Sequence, residues 1–129
     1  MIVLDANILV ALFDPDHPRH KTAERLLESC AGEPKVISVL TMAEFLVHAA
    51  MQGTAEVAAR NVAKIKVEVR SGAAEDAAAL AMIRAHRHIK MPDAVVLHLA
   101  RAVNGTVMTF DQDLGRAAKG TGLKVLGIE

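Results

Sequence analysis

The sequence predicts an α/β protein of three layers, with helices on both faces of a central parallel β-sheet. Two observations predict it. Short apolar, β-branched runs alternate with longer segments of helical period along the whole chain. No hairpin signal joins two of those runs, so successive strands are expected to lie parallel, linked through helical crossovers. At 129 residues the chain is the size of one domain, read here as 1–129.

Ile2 to Leu4 is a short apolar run ending at the polar pair Asp5 and Asn7, which reads as a buried strand feeding a helix start. Ile8 to Phe13 suits a short helix stopped by Asp14-Pro15. Arg19 to Ala31 carries Ala23, Leu26, Leu27 and Cys30 at helical spacing, with Gly32 as its stop. Lys35 to Val39 reads as a second strand. Leu40 to Met51 is helical up to Gly53, and Thr54 is placed to cap a further helix reaching Lys64.

Ile65, Val67 and Val69 alternate with charged residues, the mark of a half-exposed strand. The alanine-rich stretch Ala73 to His88 is expected to be helical. Pro92 suits the first residue of a helix running to Val103, stopped by Asn104-Gly105. Thr106 to Thr109 is a strand, Asp111 opens a helix to Gly120, and Lys124 to Leu126 is a last strand. The methionines are expected in core or interface packing.

Composition narrows the function classes. Fifteen basic and fifteen acidic residues cancel, so binding to a polyanion has to come from a local patch. One cysteine closes no internal disulfide, which suits a reducing, cytoplasmic setting. The apolar opening lacks a basic leader and contains Asp5, against a signal or a membrane span. With no Trp or Tyr there are few platforms for base stacking, so phosphate and shape contacts are expected to dominate any nucleic-acid complex.

Open parallel sheets bind ligands beyond the carboxyl ends of their strands. Asp5 follows the first strand and Asp111 the fourth; on neighbouring strands their axes lie roughly 4.8 Å apart. Carboxylates about 5 Å apart repel by on the order of 3 kcal/mol at an effective dielectric near 20. A bound divalent cation reverses that sign. Glu44 and Asp93 also sit at helix starts facing the same edge. No cysteine or histidine pair offers a zinc site, and an all-oxygen site selects Mg2+, or Mn2+. Each acid also has an ordinary reading: Asp5 as a helix cap, Thr41 to Glu44 as a capping box, Asp93 and Asp111 as first-turn acids.

Four short motifs in order now stand out. They are Ile2-Val3-Leu4-Asp5-Ala6-Asn7, Thr41-Met42-Ala43-Glu44, Pro92-Asp93-Ala94 with His98-Leu99-Ala100, and Thr109-Phe110-Asp111-Gln112-Asp113. In them the chain resembles, over its whole length, the PIN-domain ribonucleases, and among these the VapC-type toxins of bacterial toxin–antitoxin pairs. It departs at Phe110 and Gln112, where charged residues are frequent.

The resemblance implies a PIN-like fold, with Asp5, Glu44, Asp93 and Asp111 as catalytic, metal-binding acids and Asp113 as a further metal contact. It implies an endoribonuclease acting on tRNA, rRNA or mRNA, a cognate VapB-type antitoxin and a homodimer. Asn7 and Thr109 are expected to orient Asp5 and Asp111. Arg84, Arg87 and Lys90, in the densest basic stretch, are expected RNA contacts. They also suit a solvated helix end whose cations favour its dipole. The rivals are a phosphoryl-transfer or receiver domain, a non-catalytic PIN-like binding module and a DNA-directed nuclease. The first lacks a Gly-rich phosphate loop and has Asn at position 7.

Overall fold

Every predicted element is present in the computed structural model, which describes residues 1–128. In chain order these are β1 (Ile2–Leu4), α1 (Ala6–Phe13), α2 (His20–Ser29), β2 (Lys35–Ser38), α3 (Val39–Met51) and α4 (Ala55–Lys64). There follow β3 (Val67–Arg70), α5 (Asp76–Arg87), α6 (Met91–Ala102), β4 (Thr106–Met108), α7 (Gln112–Gly120) and β5 (Val125–Leu126). The five strands form one parallel sheet in the order β3-β2-β1-β4-β5.

Strand alternation explains why short runs suffice to build two cores. Ile2, Leu4, Ile37 and Met108 point to one face, where they meet Ile8 and Leu9 of α1, Met42 of α3 and Val62 of α4. Val3, Val36 and Val107 point to the other face and meet Ile83 of α5, Val96 and Leu97 of α6, and Leu114 of α7. Side chains alternate along a strand, so a strand buried on both faces must be apolar at every position. The result is the expected three-layer α/β/α arrangement.

Local chemistry sets the element ends. Ser38 caps α3, its Oγ accepting the Leu40 N–H at 3.2 Å. The capping-box reading of Thr41 and Glu44 therefore fails, since both lie inside the helix. Thr54 does not cap α4 through its side chain; its hydroxyl donates back to the Ala49 carbonyl. The helix α6 begins at Met91, one residue before Pro92, and ends at Ala102; Val103 is its C-cap and Asn104 follows in the left-handed region. Gly105 follows because a Cβ there would stand 2.8 Å from the Met1 carbonyl oxygen, which accepts the Thr106 N–H. Met42 and Met108 are core residues, whereas Met51 and Met82 are exposed. No helix among the described residues is long and apolar enough to cross a membrane.

The register of α1 is directly testable. Leu9 is fully buried and Val10 is 42% exposed. Leu9→Ala should lower the unfolding free energy by about 3 kcal/mol, through lost burial and an unfilled cavity. Val10→Ala should change it by about 0.5 kcal/mol or less. Urea denaturation of the two variants checks this; similar losses would contradict the register.

Candidate active site

The chain runs outward from β1 in one direction through β2 and β3, then returns to add β4 and β5 on the other side. Such a reversal opens a crevice at the carboxyl edge, between the turns that follow adjacent strands. The turns after β1 and β4 meet here. The Asp5 N–H donates to the Met108 carbonyl at 3.0 Å, which extends the pairing one residue past β1.

Both turn acids serve as helix caps. Asp5 has extended backbone geometry and its Oδ1 accepts the Ala6 N–H at 2.8 Å. Asp111 caps α7, with Oδ1 accepting from the N–H groups of Asp113 at 2.8 Å and Leu114 at 3.1 Å. The ordinary cap reading of Asp5 is thus correct, while Asp111, expected as a first-turn acid, is instead the cap; lone pairs remain on both carboxylates.

Thr109, fully buried, locks the two turns together. Its hydroxyl donates to Asp5 Oδ2 at 2.7 Å and accepts the Asp111 N–H at 3.0 Å. Asn7 Nδ2 lies 3.2 Å from the same Asp5 oxygen and 3.3 Å from the Thr109 hydroxyl. Asn7 Oδ1 accepts the Phe110 N–H at 3.2 Å. Asn7 and Thr109 therefore hold the Asp5 carboxylate, as expected. At Asp111 Thr109 holds the backbone rather than the carboxylate.

Electrostatics show which acids are brought together. Burial pushes the Asp5 carboxyl up, the three hydrogen bonds oppose that, and the charge of Asp111 adds to it. The Glu44 residue is exposed, yet its carboxyl is raised by lost solvent and then by the charge of Asp5. Asp93, the third residue of α6, is pushed up to about 6. Burial is the main cause; Asp111 and Asp5 raise it further, Lys90 opposes them, and Glu44 adds a little. Four acids from four segments therefore feel one another at one sheet edge.

The remaining expected residues divide. Asp113 is exposed and paired with Arg116, turned to solvent rather than held with the other four. Arg84 donates to the Ile89 carbonyl at 2.8 Å, closing the end of α5. Lys90 stands close enough to Asp93 to affect its charge. One feature was not legible in the sequence: the Arg19 guanidinium lies 4.9 Å from the centre of the Phe110 ring. Phe110 thus supports a cation from another loop.

The donor set suits a hard divalent cation in kind, being carboxylate oxygen throughout. Glu44 and Asp93 accept no hydrogen bond from any described residue, so their oxygens are available. As the side chains stand, no three acidic, histidine or cysteine groups among the described residues lie close enough to share one ion. The four are gathered to electrostatic range.

Comparison with known proteins agrees with the fold. The family model described as the PIN domain matches residues 2–120. Among solved structures, the chain is similar to a toxin–antitoxin complex from Klebsiella pneumoniae. Identity is 22%, coverage 98% of this chain and 96% of that one, and the TM-score 0.76. It is similar to VapC20 of Mycobacterium tuberculosis, described as a sarcin–ricin loop cleaving toxin, at 23% identity and TM-score 0.75, with coverage of 91% and 95%. It is also similar to VapBC2 from Rickettsia felis bound to a promoter DNA fragment, at 21% identity and TM-score 0.72, with 97% of each chain covered. No curated protein sequence matches.

The raised Asp93 carboxyl makes a stability prediction. Its folded value of about 6 lies above the ordinary 3.8, so the folded state favours the neutral form. The stability that neutral Asp93 provides is complete below pH 4 and is lost as pH rises through 6. In metal-free buffer Asp93→Asn should be more stable than wild type at pH 7.5 by about 1 kcal/mol, after allowance for solvent screening and a lost helix-dipole contact. Thermal melts with EDTA should show that gain vanish near pH 4. A variant no more stable than wild type at pH 7.5 would contradict it.

Proposed function

The chain belongs to the PIN domain family, and from that premise we propose that it is a divalent-metal-dependent endoribonuclease, the toxin of a VapBC-type toxin–antitoxin pair. One observation carries this reading: four carboxylates, remote in sequence, repel one another at the edge where the strand order reverses. A fold gains nothing from such repulsion without a cation to relieve it.

In this reading Asp5, Glu44, Asp93 and Asp111 hold Mg2+, or Mn2+, and Asp113 remains outside the set. The cation, when bound, supplies charge that activates water and neutralises the phosphodiester as it is hydrolysed. The protein's own share is orientation. Thr109 and Asn7 fix one oxygen of Asp5, and the Ala6 N–H fixes the other, so the carboxylate has one direction in which to bind. The N–H groups of Asp113 and Leu114 do the same for Asp111. Asp93 in the first turn of α6 gains from the helix dipole once ionised.

A protein partner is part of the proposal. The α3–α4 pair exposes Val47, Met51 and Val57, the last lining a hollow of about 530 Å³ against Phe13 and Phe45. Grouped exposed apolar side chains mark an interaction surface, which supports an antitoxin in the manner of the structural relatives' complexes; a homodimer is proposed on the same surface.

Purified protein should cut single-stranded RNA in Mg2+ or Mn2+, spare DNA, and stop on addition of EDTA. Asp5→Asn should lower the cutting rate by roughly 100-fold or more, with a melting temperature no lower than wild type. Cutting by Asp5→Asn at the wild-type rate would refute the assignment. Digestion of DNA with RNA untouched would move the chain to the DNA-directed reading.

A further inference from the structure

On the sheet face covered by α5 and α6, a cleft of about 550 Å³ opens between these two helices. Its polar lining is basic throughout: His86 and Arg87 from α5, His98 and Arg101 from α6. Met82 and Ile83 supply apolar walls, and no described carboxylate lines it. In a chain whose charges sum to zero, two arginines with no carboxylate lining the same cleft form a local patch of the kind a polyanion requires.

The two arginines are available to a ligand. Both are exposed, and neither makes an ion pair with a described residue. Each sits in the last turn of its helix, where a cation favours the dipole. That explains either one alone. It does not explain why cations from two helices converge on one hollow, while Arg84 in the same last turn is spent on the Ile89 carbonyl.

His98 is held in place from behind. Its Nε2 lies 2.8 Å from Asp76 Oδ1, and Asp76 Oδ2 accepts the Ala73 N–H at 2.6 Å. The carboxylate only accepts, so the imidazole proton is on Nε2. The groove wall is therefore a fixed ring rather than a mobile side chain.

We propose that this groove binds the phosphodiester backbone of RNA to one side of the cut, with Arg87 and Arg101 as the phosphate-contacting cations. The identity of the polyanion rests on the nuclease reading above. Arg101 lies eight residues beyond Asp93 on the same helix, about 12 Å along its axis, a span that a few nucleotides of a single strand can bridge. The groove has no Phe, Tyr or Trp on which to stack bases. It reads charge and spacing, and its binding is tolerant of sequence and sensitive to salt.

The test uses the full chain in EDTA, where no cutting occurs, with fluorescein-labelled single-stranded RNA and anisotropy as the readout. Arg87→Gln with Arg101→Gln should weaken binding by roughly 10-fold or more, and should reduce the slope of log K against log salt by about 1.4, two phosphates at about 0.7 each. Arg87→Lys with Arg101→Lys should retain most of the slope, and both variants should melt within a few degrees of wild type. Unchanged affinity and slope in the glutamine variant overturn the proposal while leaving nuclease activity intact. Loss of a co-purifying protein with RNA affinity unchanged overturns it in favour of a protein-binding groove. Salt-dependent RNA binding lost in the glutamine variant, from a wild type that cuts no RNA in Mg2+, supports the groove and refutes the nuclease reading instead.

Discussion

Mutual repulsion among Asp5, Glu44, Asp93 and Asp111 is the constraint around which the carboxyl edge of this sheet is organised. Water would normally screen such charges, but Asp5 is buried and Asp93 half-buried. The protein offsets the cost with groups that favour the anion: the Thr109 hydroxyl, the Asn7 amide, and backbone N–H groups at the starts of α1 and α7. Those bonds keep the Asp5 and Asp111 carboxylates pointed, while burial first and the charge of Asp111 after it raise the free energy of ionising Asp5. An edge built this way is what the proposed cation site requires.

Topology supplies the convergence. β1 lies at the centre of the sheet between β2 and β4, so the turns leaving β1 and β4 are adjacent although more than a hundred residues separate Asp5 from Asp111. Glu44 arrives from the helix after β2, and Asp93 from the first turn of α6, which packs across β1, β2 and β4 on the second face. Asp5, Asp93 and Asp111 sit at helix starts, where backbone dipoles are exposed, whereas Glu44 lies in the second turn of α3. Short strands are enough because both faces of the sheet are covered, with Ile2 and Leu4 feeding one core and Val3 the other.

The elements were legible in the sequence because periodicity is local. A strand buried on both faces is apolar at every position, and a helix shows its stops as Gly, Asn or Asp-Pro. Asp5 and Asp111 were legible because each follows a strand, Glu44 and Asp93 because each lies in the early turns of a helix, and Asn7 and Thr109 because they stand two residues from an acid. What was missed depends on pairs that only the folded chain brings together. Ser38, rather than Thr41, caps α3 because the strand turns one residue earlier than its β-branched run suggests. Arg19 meets Phe110 from a loop ninety-one residues away, with nothing in either neighbourhood to announce it. His98 and Arg101 look like an ordinary helix face until α5 places His86 and Arg87 opposite them. Of the core or interface places expected for the methionines, the fold takes Met51 and Met82 out of the core, since hydropathy does not reveal which helix face the sheet covers.

The carboxylate cluster as a cation site is most directly tested by the thermal stability of the wild-type protein at pH 7.5 as Mn2+ is titrated. A ligand that binds only the folded state raises the melting temperature with concentration. The midpoint should climb steadily with Mn2+ in wild type and stay flat in Asp5→Asn with Asp111→Asn, which should start the higher of the two in EDTA. A wild-type midpoint indifferent to Mn2+ would contradict the account, as would an equal rise in the doubly substituted protein.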